Sequence, residues 1–279
     1  MKYSTHAWSW TPIWSNDSLH LIDPAKELGF DALEIPLIAT DKVDAAATRA
    51  RAEAVGIDIL CAVACLPQTD PASEDEETRG RALEYLKERL RLAADIGSRV
   101  VSGVTYSVVG RRSLPSEEQW ERAVDVLRKA ARYGREIGVT LGIEAVNRHE
   151  TSLVNTAQQA LAMKEETGEP NVGVHLDSFH MNMEELSLYD ATVAAIPHLC
   201  HFHLCDSHRR EVGTGLVDFD AIFRAFAEGG YDGPAGLEIF APVMAPAEGA
   251  RWGAPVPIDG VLSRSLAYLR GVESRHIRR

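Results

Sequence analysis

Four ionisable residues recur through the second half of this 279-residue chain: Glu144, Asp177, His203 and Glu238. They are 33, 26 and 35 residues apart. Each lies in or at the end of a short apolar run: Gly-Ile-Glu144-Ala-Val, Val-His-Leu-Asp177, Cys-His-Phe-His203-Leu-Cys and Gly-Leu-Glu238-Ile-Phe. Such intervals match one strand plus one helix, so four consecutive strands would each project one such group at similar height. Two glutamates, one aspartate and one histidine form an oxygen-rich donor set. It suits Mn²⁺, Mg²⁺ or Co²⁺ better than a structural zinc site, which recruits thiolates. Four protein ligands leave positions open on an octahedral ion for a chelating substrate. The plainer alternative is four strand-end groups, each satisfied by hydrogen bonds. It is weakened by their number, because uncompensated carboxylates converging on one spot repel strongly.

A second group follows the same strands. Asn147, Arg148 and Glu150 come after the fifth, His180 and Asn182 after the sixth, and Asp206, His208 and Arg209 after the seventh. Trp8, Trp10 and Trp14 lie at or just beyond the first. Aromatic faces beside charged hydrogen-bonding groups suit a polyol, which has apolar C–H faces and hydroxyl edges. Arg148 and Arg209 could instead be salt-bridge partners of the site carboxylates, and the tryptophans could simply cap a barrel. His6, His175 and His201 read as packing or supporting residues rather than metal ligands.

The elements that must position these groups alternate from end to end. Strands are expected at Lys2–Trp8, Ala32–Pro36, Asp58–Cys65, Val100–Tyr106, Thr140–Val146, Val172–Asp177, Leu199–Asp206 and Gly236–Phe240. They are mostly continuous apolar runs, as parallel strands covered on both faces require. Ser116 with Gln119, Ser73 with Glu76, and Asn155 with Gln158 read as helix-start pairs. Gly29, Gly56, Gly97 and Gly138 read as helix C-caps. The acidic run Glu74–Glu77 reads as a solvated helix start. Eight such units without a linker predict an α/β protein, a single (β/α)8 TIM barrel over residues 1–279, with its active site at the C-terminal ends of the strands. A doubly wound sheet is the rival, but no Gly-x-Gly-x-x-Gly follows any strand. The proline-bearing stretch Ala241–Pro257 reads as a lid or an interface loop.

Composition narrows the partners. Lys plus Arg is 29 against 41 Asp plus Glu, a net charge of −12, which suits neither a nucleic-acid backbone nor an anionic membrane. The longest apolar run, Ile59–Leu66, is far short of the ~20 residues of a membrane span. The N-terminal stretch lacks the apolar segment of a signal peptide. Cys61, Cys65, Cys200 and Cys205 form no Cys-x-x-Cys pair and read as buried reduced thiols, in keeping with a cytoplasmic protein.

The stretches LGFDALEIPL, GVTYS, IEAVNRHET, NTAQQAL, VGVHLDSFHMNMEE, HFHLCDSHRREVGTGLVDFD and GYDGPAGLEIF carry a further signal. Together they resemble the ketose 3-epimerases, the D-tagatose, D-allulose (psicose) and L-ribulose 3-epimerase group of the xylose-isomerase-like barrels. The resemblance implies one divalent metal, Mn²⁺ foremost with Co²⁺ or Mg²⁺ as alternatives, held by Glu144, Asp177, His203 and Glu238. It implies that Glu144 and Glu238 double as the acid/base pair. Glu150, His180 and Arg209 are placed on the substrate's oxygens, and Trp14 beside the sugar's far end. His6 stands among the substrate contacts where many relatives have an aromatic residue. Val109 stands where several members have a tryptophan, and Leu204-Cys205-Asp206 where relatives often have Gly-Glu. The implied assembly is a homodimer or homotetramer.

The expected reaction is inversion at C3 of a free ketose by deprotonation and reprotonation through a cis-enediolate, with no organic cofactor. A related isomerase, acting between aldose and ketose or on hydroxypyruvate, could use the same four ligands, as could an enzyme of 3-keto-glycosides. A metal-dependent endonuclease would need more histidines and a basic face. A non-catalytic sugar binder would not need both glutamates.

Overall fold

The computed structural model describes residues 1–240 and 257–277, so the proline-bearing stretch lies almost wholly outside the described residues. Eight parallel strands form a closed barrel in sequence order. They are β1 (Lys2–His6), β2 (Ala32–Pro36), β3 (Asp58–Cys65), β4 (Val100–Val108), β5 (Thr140–Ala145), β6 (Val172–Asp177), β7 (Leu199–His203) and β8 (Pro234–Leu237). β1 pairs with β2 on one side and β8 on the other, which closes the ring. The chain is therefore a single (β/α)8 TIM barrel.

Several strand ends depart from expectation, β4 running on to Val108 and β5 stopping at Ala145 among them. β1 stops at His6 because Ala7–Ser9 winds into a 3-10 turn, with the His6 ring accepting from Trp8 N–H. β7 stops at His203, and β8 begins earlier and ends at Leu237, just before Glu238.

Around the barrel run α1 (Ile22–Glu27), α2 (Ala45–Val55), α3 (Glu76–Ile96), α4 (Glu117–Glu136), α5 (Ala157–Thr167), α6 (Ser178–Glu184), α7 (Leu188–Ala195), α8 (Phe219–Gly229) and α9 (Ile258–His276). α4 shows why such segments are helical. Ser116 and Gln119 form the expected capping box, and Val124, Leu127, Ala131 and Gly134 are buried at helical spacing. The other two starts are displaced. α3 is capped by Asp75, which accepts from Thr78 N–H, and α5 by Thr156, which pairs with Gln159. Gly56 and Gly97 close α2 and α3 in the left-handed conformation. All four cysteines are free.

One strand glycine is required by close approach. Gly103 on β4 has φ +133, and a Cβ there would lie 2.0 Å from the Val63 carbonyl on β3. Among the described residues no helix is long and apolar enough to cross a membrane.

Candidate active site

β5 to β8 bring the four predicted groups together. Asp177 and His203 are register partners across β6 and β7, and His203 pairs with Gly236 on β8. His203 is the hub. Its Nδ1 lies 3.9 Å from Glu144 Oε1, 3.9 Å from Asp177 Oδ2 and 3.8 Å from Glu238 Oε1. All four side chains are buried. Asp177 also starts α6, where its Oδ1 accepts from Phe179 N–H at 2.7 Å. That leaves Oδ2 facing the cluster. His203 Nδ1 and Asp177 Oδ2 are buried and make no hydrogen bond among the described residues. Two such orphaned atoms beside two further carboxylates fit an ion bound through oxygen and one imidazole nitrogen.

The two glutamates differ sharply in proton affinity. Burial pushes the Glu144 carboxyl well above its usual range, Glu238 and Asp177 add to the rise, and His203 opposes it. Burial would also raise Glu238, but Arg209 and His203 overcome it and hold the group down at about 2. Asp177 is pushed up to about 7 by burial and by Glu238. The surroundings thus favour a proton on one side of His203 and a bare carboxylate on the other.

Arg209 creates much of this asymmetry. Its guanidinium lies between the rings of Phe179 and Phe240, 4.5 and 4.3 Å from their centroids. It pairs with Glu238, with Asp177 Oδ2 at 3.5 Å and with Glu150 Oε1 at 3.3 Å. Its backbone is left-handed, φ +54, which is uncommon for a residue with a Cβ. The turn is held by Arg209 N–H donating to the Asp206 carbonyl and Phe240 N–H donating to the Arg209 carbonyl. Behind it, the Asp206 carboxylate accepts from the amides of Ser207, Gly213 and Gly215. The Gly-Thr-Gly step is therefore a loop turn.

His180, on the first turn of α6, points Nε2 at the cluster, 3.8 Å from Asp177 Oδ2. Its Nδ1 accepts from Asn147 N–H at 3.2 Å and faces Asn147 Nδ2 at 2.7 Å. Burial and the nearby Arg209 lower its pKa to about 3, so it is neutral, with Nε2–H directed inward. Asn147 also reaches Glu150 at 3.3 Å. Arg148 turns outward to Glu184 and leaves the cluster.

A cavity opens over these groups. Glu144, Glu150, His180, His203, Arg209 and Glu238 line one side. β2 to β4 and the residues just after them contribute a mostly apolar set, Pro36, Ile38, Ala62, Ala64, Val104 and Val109, with the polar Ser102 among them. His6 and Trp8 lie on the wall as well, and His6 is lowered to about 4 by burial. Trp14 corrects the expectation. It is 0% exposed, belongs to the hydrophobic core and is absent from the cavity wall. The turn after His6 puts Trp8 on that wall instead, against Phe240 at 5.1 Å.

Two residues had no place in the sequence reading of the site. Tyr106 donates to the carbonyls of Glu144 and Val154, both at 3.0 Å, and so fixes the end of β5. Glu34 on β2 is fully buried, and its Oε2 accepts from His201 Nε2 at 2.9 Å and from His203 Nε2 at 2.7 Å. The available signal was one charge inside the apolar strand Ala-Leu-Glu-Ile-Pro.

The chain resembles known proteins along most of its length. The family described as xylose isomerase-like TIM barrel matches residues 22–256. A ketose 3-epimerase from Arthrobacter globiformis is 32% identical over 88% of this chain and 86% of its own. An L-ribulose 3-epimerase from Mesorhizobium japonicum is 34% identical over 86% of this chain and 81% of its own. The crystal structure of a Methylomonas D-allulose 3-epimerase in complex with D-allulose superposes with a TM-score of 0.90. It is 28% identical and covers 97% of this chain and 96% of that one.

Proposed function

The chain belongs to the xylose isomerase-like TIM barrels and, within them, to the ketose 3-epimerases, and from that premise we propose that it inverts C3 of a free ketose at the cluster on β5–β8. It is a carbohydrate isomerase, and the substrates in view are of the D-allulose/D-fructose, D-tagatose and L-ribulose type. The observation that carries the proposal is the convergence of two glutamates on His203, Glu144 Oε1 at 3.9 Å and Glu238 Oε1 at 3.8 Å from its Nδ1, on the wall of one cavity.

The proton movements follow from that pair. Ionised Glu238 takes the proton from C3, and Glu144 delivers one to the opposite face, so the configuration inverts without any change in oxidation state. In the reverse direction the two exchange roles. Neutral His180 offers Nε2–H to a substrate oxygen as negative charge develops there, and Arg209 offers its guanidinium. Glu150 and Asn147 keep those two donors in place. The apolar wall covers the C–H side of the sugar and excludes water from it.

The donor set is read as holding a divalent ion, Mn²⁺ before Co²⁺ or Mg²⁺, through Glu144, Asp177, His203 and Glu238. When bound, it supplies Lewis-acid polarisation of the C2 carbonyl and compensates the charge that builds on O2 and O3. No organic cofactor is required.

The test is incubation of the Mn²⁺-loaded protein with a panel of free ketoses in D₂O, followed by NMR and chromatography. Deuterium at C3 together with the C3 epimer is the expected result. Exchange at C1 or an aldose product would assign the site to aldose–ketose isomerisation instead.

A further inference from the structure

We propose that Glu34 is a positioning residue for the metal site. It fixes His203 with its proton on Nε2, so that Nδ1 is the atom presented to the ion. The inference rests on the metal-binding part of the function proposed above.

The argument begins with hydrogen-bond chemistry. Glu34 Oε2 meets two imidazole nitrogens at once, His203 Nε2 at 2.7 Å and His201 Nε2 at 2.9 Å. A carboxylate oxygen shared in this way accepts from both, so both rings present N–H to it. For neutral His203 this leaves Nδ1 with its lone pair, and Nδ1 is the atom surrounded by Glu144, Asp177 and Glu238. Ring orientation is constrained as well. His175 packs edge-on against His203, with centroids 4.2 Å apart and planes at 90°. Glu34 and His203 stand on β2 and β7, which are not neighbours in the barrel. The bond therefore spans the barrel interior and ties the hub of the charged half to the opposite half.

A carboxylate behind a ligating imidazole orients the ring and makes its free nitrogen a better donor, and losing such a partner costs roughly 10–100-fold in metal affinity. Glu34→Gln keeps the shape and removes the charge. His201→Phe removes the second histidine and keeps the Glu34–His203 bond.

The experiment uses Mn²⁺ alone, with no sugar, titrated into the full-length chain and followed by EPR of the free ion. Alongside it, two-dimensional ¹⁵N–¹H NMR of the histidine rings in the Mg²⁺-loaded chain reads the tautomer of His203 without any substitution. The expected results are a loss of roughly 10–100-fold in Mn²⁺ affinity for Glu34→Gln, affinity close to the unchanged chain's for His201→Phe, and the Nε2–H form of His203. Unchanged affinity in folded Glu34→Gln, or a proton on Nδ1 of His203, overturns the role of Glu34 while leaving the epimerase reading standing. Failure of the unchanged chain to bind Mn²⁺ or Mg²⁺ overturns both the role of Glu34 and the metal site.

Discussion

The two halves of the barrel mouth are built from different chemistry. β5 to β8 contribute Glu144, Asp177, His203 and Glu238, with Glu150, His180 and Arg209 packed round them. β2 to β4 and the residues just after them contribute alanines, valines, an isoleucine, a proline, a glycine and one serine, Ser102, to the same cavity. The charged half is tied into a hydrogen-bonded and ion-paired network in which each group changes its neighbours' proton affinity. The apolar half has shape but no titratable group facing the ligand. The contrast teaches a division of labour: one half moves protons, and the other selects which molecules fit.

The sharpest way to break this division is through the glutamates. Glu144→Gln and Glu238→Gln should each lower C3 exchange by about 10²–10⁴-fold, the usual worth of a positioned acid or base. Substrate binding should fall far less. Exchange rates in D₂O, measured beside sugar affinity by calorimetry, check this.

Chelation tests the same half without mutation. An ion at a hundred times its dissociation constant stabilises the folded chain by about 2.7 kcal/mol, worth roughly 5–11 °C in melting temperature for a domain of this size. Calorimetric scans before and after EDTA treatment should show that drop, together with loss of epimerisation that Mn²⁺ restores.

A third test uses pH. Asp177 is pushed up to about 7 by burial and Glu238. Burial lowers His203, but Glu34 and Glu238 outweigh it and push the ring up to about 10. Both groups bind protons more tightly folded than unfolded. The stability they contribute is complete below their unfolded values and is lost as pH rises through the folded ones. The chelated chain should therefore lose the Asp177 part of that stability from about pH 4 to about pH 7 and the His203 part from about pH 6.5 to about pH 10. The Mn²⁺-loaded chain should show a flatter profile, because the ion competes for the same sites. Chemical denaturation at a series of pH values reads both.

The smallest effect belongs to the apolar half. Val109 is 45% exposed at the cavity rim, so Val109→Trp has space to extend over the mouth. It should shift kcat/KM between small and large ketoses by about 10–200-fold, mostly through KM, and leave the exchange rate of bound sugar near its original value. An equal fall for every substrate would show that this wall also takes part in the chemistry.

The same contrast explains what the sequence disclosed. Glu144, Asp177, His203 and Glu238 were legible because each stands near the end of a successive strand, and strand ends in a barrel converge. Glu34 was not, because its partners lie across the barrel on β7, and alternation along β2 says nothing about what faces it there. Trp14 misled for a related reason. Its distance from β1 fits a rim residue, but the chain turns at Ala7 and buries it in the core. Ser73 and Asn155 lost their caps to Asp75 and Thr156 because several capping residues stand side by side there, and helix packing selects among them.

The Asp206 carboxylate has a consequence for redesign. It gathers amides from both ends of the segment between Asp206 and Gly215, and Gly215 has no room for a Cβ, which would lie 2.1 Å from Asp206 Oδ1. Thr214 belongs to that knot, its hydroxyl donating to the Glu211 carbonyl at 2.6 Å, whereas the side chains of Arg210 and Leu216 are exposed. A combinatorial library over those two positions, with Asp206, Gly213, Thr214 and Gly215 held constant, would diversify the rim while Arg209 stays anchored over the cluster.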